Sequence, residues 1–185
     1  MQIILQPVLF QPGRGFISTL EKVLSEEFNS SVNTTSPIRE IPLQLFDKQR
    51  NQCKSNEVLQ WLLDKHRPNR ATTTTTRTTK ILAICDFDAY SGHLNFVFGE
   101  AYLDGSISAI YLPRLRQEFY GLKADDYIFH QRIVKEAVHE LGHAFGLNHC
   151  GNTRCVMHFS NSLSDTDIKE SHFCNVCERI IGNYT

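Results

Sequence analysis

Three histidines and a glutamate lie close together near residue 140, in the order His139, Glu140, His143 and His149. His139 and His143 are four residues apart, about one helical turn, so both imidazoles project from one helix face and can hold a single zinc ion. Three neutral imidazoles leave the zinc ion its full positive charge and one position open to water. The ion then lowers the pKa of the bound water to about 7. Glu140 is placed to take the proton of this water as it attacks a carbonyl carbon. The pattern therefore predicts hydrolytic chemistry.

Gly146 is the residue at which this helix is predicted to end. Glycine adopts the left-handed backbone conformation without steric cost, so the chain can turn sharply there and bring His149 to the metal as a third ligand. Two histidines four residues apart also occur as ordinary core or surface residues. The glycine and the third histidine at fixed offsets, next to an otherwise apolar helix, favour the zinc site over that interpretation.

Four of the six cysteines lie in the last 36 residues, namely Cys150, Cys155, Cys174 and Cys177. Two close cysteine pairs separated by a loop are typical of a closed site in which four thiolates hold a structural zinc ion. Disulfides and an iron–sulfur cluster are the alternatives. Thiolate softness favours zinc, whose binding would stabilise a segment with few large apolar residues. The remaining Cys53 and Cys85 are predicted to be buried thiols.

The segment 139–149 matches the HExxHxxGxxH signature of the metzincin clan of zinc metallopeptidases. That clan places a methionine beneath the metal as an apolar floor, and Met157 is the candidate here. Together with the four cysteines, the segment 139–177 resembles the archaemetzincin family. The resemblance implies a mixed sheet with one antiparallel edge strand, an active-site helix, a small C-terminal lobe and two zinc ions per chain. No tyrosine follows Met157 closely, although some other metzincins use one as an extra ligand or oxyanion stabiliser.

Hydrophobic patterning predicts the elements that position these residues. A helix over 126–148 is apolar around much of its circumference and should be central. Strands and helices alternate before it, which implies an α/β fold. The predicted domain organisation is an N-terminal catalytic subdomain, 1–149, and a C-terminal subdomain, 150–185, in one compact unit. The predicted strands are 3–10, 37–46, 81–85, 95–102 and 108–112, the predicted helices are 16–24 and 55–63 with Ser55 as a cap, and the threonine-rich stretch 68–80 is predicted to be a loop.

Charge and composition exclude several classes of protein. The 185 residues include 19 basic and 20 acidic side chains, so the formal net charge of −1 gives no electrostatic basis for nucleic-acid binding. The first apolar run, 3–10, is interrupted by Gln6 and Pro7 and has no basic residues before it, unlike a signal peptide or membrane span. We therefore expect a cytoplasmic monomer that binds neither nucleic acid nor a membrane.

The main hypothesis is a zinc metallopeptidase that hydrolyses peptide bonds with Glu140 as the general base. Its peptide substrate is expected to pair with the edge strand 95–102 by strand addition. The alternative is a zinc-stabilised module that binds peptides or proteins with little or no turnover. Because a binding module does not need Glu140, replacing this residue distinguishes the two.

Overall fold

The structure is a computed structural model that describes residues 1–67 and 79–182. Its strands are β1 (Gln2–Val8), β2 (Ser31–Thr34), β3 (Phe46–Asp47), β4 (Gln52–Lys54), β5 (Thr79–Cys85), β6 (Ala89–Tyr90), β7 (Gly99–Ala101) and β8 (Ile107–Tyr111). Its α-helices are α1 (Arg14–Glu27), α2 (Ser55–Lys65), α3 (Asp126–Ala144), α4 (Leu163–Ile168) and α5 (Asn175–Ile181). Within the described ranges, no helix has the length and apolar character needed to cross a membrane.

A five-stranded sheet with the order β2-β1-β5-β8-β7 forms the centre of the fold. The first four strands of this order are parallel to one another, whereas β7 pairs antiparallel with β8 at one edge. The α/β fold with a mixed sheet and one antiparallel edge strand is thus confirmed. A second, smaller sheet with the order β3-β4-β6 was not predicted.

The central strands have helices on both sides, which explains their continuous apolar sequence. In β5, every residue from Lys80 to Cys85 is buried, as expected for a parallel strand covered on both faces. One hydrophobic core includes residues of α1 and α3, and the other includes residues of α2 and the small sheet. The first core also contains Val156, Met157 and Phe173, so the C-terminal segment belongs to the same packed unit.

Several predicted boundaries are wrong. The range 37–46 is not one strand: Ile38 forms an isolated bridge with Val8, residues 43–45 form a 3₁₀ turn, and only the last residue, Phe46, belongs to a strand, β3. Pro37 and Pro42 lack the N–H that a strand ladder requires, which accounts for this difference. Ser55 is the first residue of α2 and does not cap it, because the N-cap position belongs to Lys54.

The edge strand is also shorter than the predicted 95–102. The carbonyl groups of Leu94 and Asn95 accept hydrogen bonds from the Arg50 side chain, and Asn95 also accepts one from Gln52. These bonds hold the segment before β7 against the small sheet. The predicted threonine-rich loop 68–80 lies outside the described residues except for Thr79 and Lys80, which are not in a loop but begin β5.

Candidate metal centre

Helix α3 carries the first two histidines and ends at Ala144, four residues before the predicted 148. The predicted turn at Gly146 follows directly. Gly146 has a φ of 93°, in the left-handed region that favours glycine. Its N–H donates to the carbonyl of His143 at 2.9 Å, and the N–H of Leu147 donates to the carbonyl of Gly142 at 2.9 Å. This pair of bonds is a Schellman motif, and it redirects the chain towards His149.

The three predicted histidines come together in the structure. Their ligand nitrogens all lie within 4.8 Å of one another. The Nε2 atoms of His139 and His143 are 3.1 Å apart, and the His149 ring centroid lies 4.8 Å from that of His143. The helix therefore places two imidazoles on one face, and the turn at Gly146 supplies the third.

Backbone carbonyl groups orient two of these rings. His139 Nδ1 lies 2.7 Å from the carbonyl oxygen of Val156, and His143 Nδ1 lies 2.7 Å from that of Leu147. Each Nδ1–H donates to its carbonyl, which leaves a lone pair on each Nε2. Two lone pairs that face each other at 3.1 Å repel, and a cation bound by both nitrogens removes that repulsion. The donor set therefore fits zinc.

Burial also favours the neutral imidazoles that metal binding requires. It lowers the pKa of His143 and His149, and it lowers the pKa of His139 well below the usual value. A neutral ring keeps the lone pair that a protonated ring loses. Burial disfavours the protonated imidazolium form and thus keeps all three histidines in the neutral form that can bind a metal ion.

Glu140 lies beside the histidines and is only 4% exposed. Burial raises the pKa of its carboxyl group well above the usual value, and the negative charge of Glu136 acts in the same direction. Gly99 of β7 provides the space for this side chain, because a Cβ at that position would lie 2.5 Å from Glu140 Cγ and Oε1. The sequence analysis missed Gly99, since the two residues are distant in the chain.

Met157, the candidate for the apolar floor, is fully buried and packs against Gly142 of the histidine motif. A Cβ at Gly142 would overlap with Met157 Sδ and would lie 3.3 Å from the Phe173 ring. The glycine within the histidine motif is therefore needed for the close approach of this methionine. The position of Gly142 between the candidate ligands His139 and His143 is a signal in the sequence that could have indicated this close packing.

The four predicted cysteines also come together, with all Sγ atoms within 4.8 Å of one another. All four are free thiols, so the disulfide alternative is not realised. Cys150 Sγ and Cys174 Sγ are 3.8 Å apart, and a tetrahedron with Zn–S bonds of about 2.3 Å has an edge of about 3.8 Å. Backbone hydrogen bonds from Cys177 and Val176 lower the pKa of Cys174 to about 6. This cluster therefore fits a metal ion held by thiolates.

A short segment of backbone connects the two clusters. Cys155 belongs to the cysteine cluster, the carbonyl group of Val156 orients His139, and Met157 packs against Gly142. In addition, the N–H of Cys150 donates to the carbonyl of Met157 at 2.9 Å. The three consecutive residues 155–157 thus link the cysteine cluster to the histidine motif.

The segment around α4 is joined to α3 by charged side chains. Lys169 Nζ lies 2.9 Å from Glu136 Oε1, and both side chains are almost completely buried. Arg132 donates to both carboxylate oxygens of Asp167 at 2.7 Å. The sequence analysis missed these pairs, because no local pattern links residues of α3 to residues so far along the chain.

A cavity of about 470 Å³ opens in front of the histidines. It is bounded by β7 and the segment before it, by α3, and by the segment that follows Met157. Its walls are mainly apolar and include Leu94, Phe96, Val97, Phe98, Leu103 and Phe159. An apolar cavity with a few convergent polar groups is the usual form of a binding site for a small molecule or peptide.

The chain is similar to proteins of known family. The model of peptidase family M54 matches residues 37–183. An archaemetzincin from Methanocaldococcus jannaschii is 36% identical over 177 residues, which cover 95% of this chain and 92% of that protein. The crystal structure of a zinc-dependent peptidase from Methanocorpusculum labreanum is 32% identical with a TM-score of 0.83, covering 97% of this chain and 99% of that one. The archaemetzincin from Archaeoglobus fulgidus, complexed with malonate, is 33% identical with a TM-score of 0.77 and the same coverage.

Proposed function

Since the chain belongs to peptidase family M54, the archaemetzincins, and is a zinc metallopeptidase, we propose that it hydrolyses peptide bonds with His139, His143 and His149 as zinc ligands and Glu140 as the general base. The observation that carries this proposal is the convergence of three imidazoles, two of them oriented by backbone carbonyl groups, next to a buried carboxylate at the wall of a cavity. A zinc ion bound by three histidines supplies a Lewis acid and lowers the pKa of water at its open position to about 7.

Glu140 holds and moves the proton in this mechanism. Its carboxylate takes a proton from the attacking water and then donates it to the nitrogen of the leaving amine. Burial supports this role, since it raises the pKa of the Glu140 carboxyl group and so makes the carboxylate a stronger base towards the proton of the water. Gly99 fixes where the carboxylate lies, and the Val156 and Leu147 carbonyl groups hold the histidine rings in place.

The free edge of β7 binds the peptide backbone in this proposal. The Phe98 carbonyl accepts from Tyr111 N–H at 2.8 Å, and Tyr102 N–H donates to the Ile107 carbonyl at 3.1 Å. Successive strand residues direct their backbone groups to opposite sides, so Gly99 and Ala101 direct theirs away from β8. An extended peptide adds to this edge through those groups. The cavity then receives the side chains of the peptide.

The four cysteines hold a second, structural zinc ion in this proposal, which gives two zinc ions per chain. Cys150, Cys155, Cys174 and Cys177 provide four sulfur donors and leave no ligand position open. Residues 1–149 and 150–185 then act as one catalytic unit, because the first hydrophobic core includes residues of both.

Replacing Glu140 by glutamine tests the proposed base. The amide preserves shape but cannot accept the proton, so we expect peptide hydrolysis to fall by about 10²–10⁴-fold. Zinc content and circular dichroism should match those of the wild type. Glu118→Gln, at an exposed glutamate, is the matched control and should retain full activity.

Activity on a quenched fluorescent peptide library, with and without a chelator, provides the measurement. Hydrolysis by the Glu140→Gln variant at the wild-type rate would contradict the assigned base. Peptide binding by a zinc-loaded wild-type protein without any turnover would instead favour the binding module.

A further inference from the structure

Glu100, at the middle of β7, has a carboxylate that the proposed mechanism does not use. Glu100 is one of the residues that line the cavity in front of the histidines. Its Oε1 accepts a hydrogen bond from the Ser91 hydroxyl at 2.6 Å. Its Oε2 is shielded from solvent and has no hydrogen-bond partner among residues 1–67 and 79–182. Because shielded carboxylate oxygens normally have a partner, a ligand is a natural source of the missing one.

The alternation of side chains along β7 separates Glu100 from the catalytic glutamate. Gly99 faces α3, since a Cβ there would contact Glu140. The next residue must point to the opposite face of the sheet. Tyr102, which shares that face by the same alternation, packs against the core that contains α2 residues. The Glu100 side chain therefore lies on the face of β7 opposite to the one that carries Glu140.

This position brings Glu100 close to a substrate side chain. When a peptide adds antiparallel to the free edge of β7, Gly99 and Ala101 make the backbone hydrogen bonds and Glu100 lies between them. The peptide residue directly opposite Glu100 then forms a non-hydrogen-bonded pair with it. In such a pair the two Cα atoms are about 4.5 Å apart and the side chains lie on the same face of the sheet. The substrate residue at this position is within reach of the carboxylate.

The charges of the cavity favour a positive substrate side chain. Within the described part of the chain, the lining residues include three glutamates but no lysine or arginine. Glu136 is paired with Lys169, and Glu140 is assigned to catalysis, so Glu100 is left to interact with the substrate. Val97 also lines the cavity and packs against the same core as Tyr102, so this part of the wall is apolar and suits the methylene groups of a long basic side chain.

We propose that Glu100 is a specificity-determining residue that selects peptides carrying arginine or lysine at the position opposite it on the added strand. This inference rests on the proposed function, because it requires a peptide bound along β7. The carboxylate contributes a charge-assisted contact that a neutral side chain of the same shape does not make. The preference should therefore depend on the charge of the substrate side chain and not on its size.

The test compares pairs of peptides that differ only in arginine or citrulline, a neutral isostere of arginine. The residue is placed at successive positions on both sides of the cleaved bond in an otherwise uncharged sequence. At one position we expect the wild type to prefer arginine about tenfold in kcat/KM, which corresponds to about 1.4 kcal/mol. Glu100→Gln should reduce this ratio to about one, and Glu100→Lys should favour glutamate over glutamine at the same position.

The affinity of the same peptides for the Glu140→Gln protein and for the Glu140→Gln, Glu100→Gln double variant gives a readout without turnover. The arginine preference should be present in the first and lost in the second. An equal arginine-to-citrulline ratio in wild type and Glu100→Gln would overturn the specificity assignment. Cleavage of the uncharged peptides by the wild type would in that case still support the proposed peptidase function, so the two failures are distinguishable.

Discussion

Gly99 and Gly142 act through the side chains that they lack. At Gly99 the space that a Cβ would fill is taken by the Glu140 carboxylate, and at Gly142 it is taken by the Met157 sulfur. Neither glycine has a positive φ, so their role is close packing and not an unusual backbone conformation. At the scale of single residues, the reactive geometry depends on contacts that a single methyl group would disturb.

Gly99→Ala should therefore damage catalysis more than folding. The added Cβ would lie 2.5 Å from Glu140 Cγ, so either the carboxylate or β7 must move. A displacement of about 1 Å can reduce the rate by about 10²-fold, and we expect kcat/KM to fall by 10–100-fold with zinc retained. Gly15→Ala, where nothing lies within 4 Å, is the control and should have wild-type activity. Similar kinetics for both variants would show that Gly99 does not position Glu140.

At the scale of elements, α3 is the part to which the rest of the site is attached. Its buried residues include Glu136, His139 and Glu140. The C-terminal segment contacts this helix at Glu136, His139 and Gly142. The Lys169–Glu136 ion pair lies one turn before the histidines, and Met157 packs against the turn that contains Gly142. The helix and the C-terminal segment must therefore be treated as one structural element.

Lys169→Met should be strongly destabilising, because it leaves the Glu136 carboxylate buried without its partner. Removing one member of a buried ion pair costs about 3–5 kcal/mol of unfolding free energy. Adding Glu136→Leu should recover much of this loss, since the pair is then replaced by apolar groups. Arg154→Met breaks an exposed pair with Glu170 and should change the unfolding free energy little. Denaturant unfolding of the four proteins measures these differences, and equal losses for Lys169→Met and Arg154→Met would contradict the argument.

Cys155→Ser should weaken a metal site that it does not contact. The next residue, Val156, orients His139 through its carbonyl group, and Met157 packs beneath the histidines. Losing the Cys155 thiolate releases this segment, so we expect lower zinc affinity at the histidines and at least a tenfold loss of activity. Cys53→Ala removes a buried thiol of the second core and serves as the control. Competition with a chromogenic chelator measures the affinity, and an unchanged value in a protein without its thiolate-bound zinc would show that the sites are independent.

At the scale of the whole molecule, one core supports both candidate metal sites. It extends from α1 and the parallel strands through α3 to residues of the C-terminal segment, including Cys155 and Cys177. The histidine cluster lies at the open cavity, whereas Cys155 and Cys177 are buried. The two metals should therefore differ in how easily they are lost.

We expect two zinc ions per chain, of which a brief treatment with a mild chelator removes one. The histidine site offers three protein ligands and an open position, whereas the cysteine site offers four and is coupled to folding. After such treatment activity should be lost while the thermal unfolding temperature changes little, and added zinc should restore activity. Elemental analysis before and after treatment gives the stoichiometry. A single zinc ion in the fresh protein would contradict the two-site proposal.

The sequence by itself determined both groups of candidate metal ligands, because these residues lie within one helix, one turn and two short cysteine pairs. The spacing of His139 and His143 and the left-handed turn at Gly146 are local properties that hold wherever the helix is placed. The α/β class and the antiparallel edge strand were also predicted, the first from the alternation of elements and the second from the family resemblance.

Only the tertiary structure decided which distant groups complete the site. Gly99 beside Glu140, the Val156 carbonyl on His139 and Lys169 on Glu136 each join residues with no common period or motif. The predicted strand 37–46 failed for a local reason instead, since Pro37 and Pro42 lack the N–H groups that a strand ladder requires. Contacts between elements depend on packing in three dimensions, and local spacing in the chain carries no information about them.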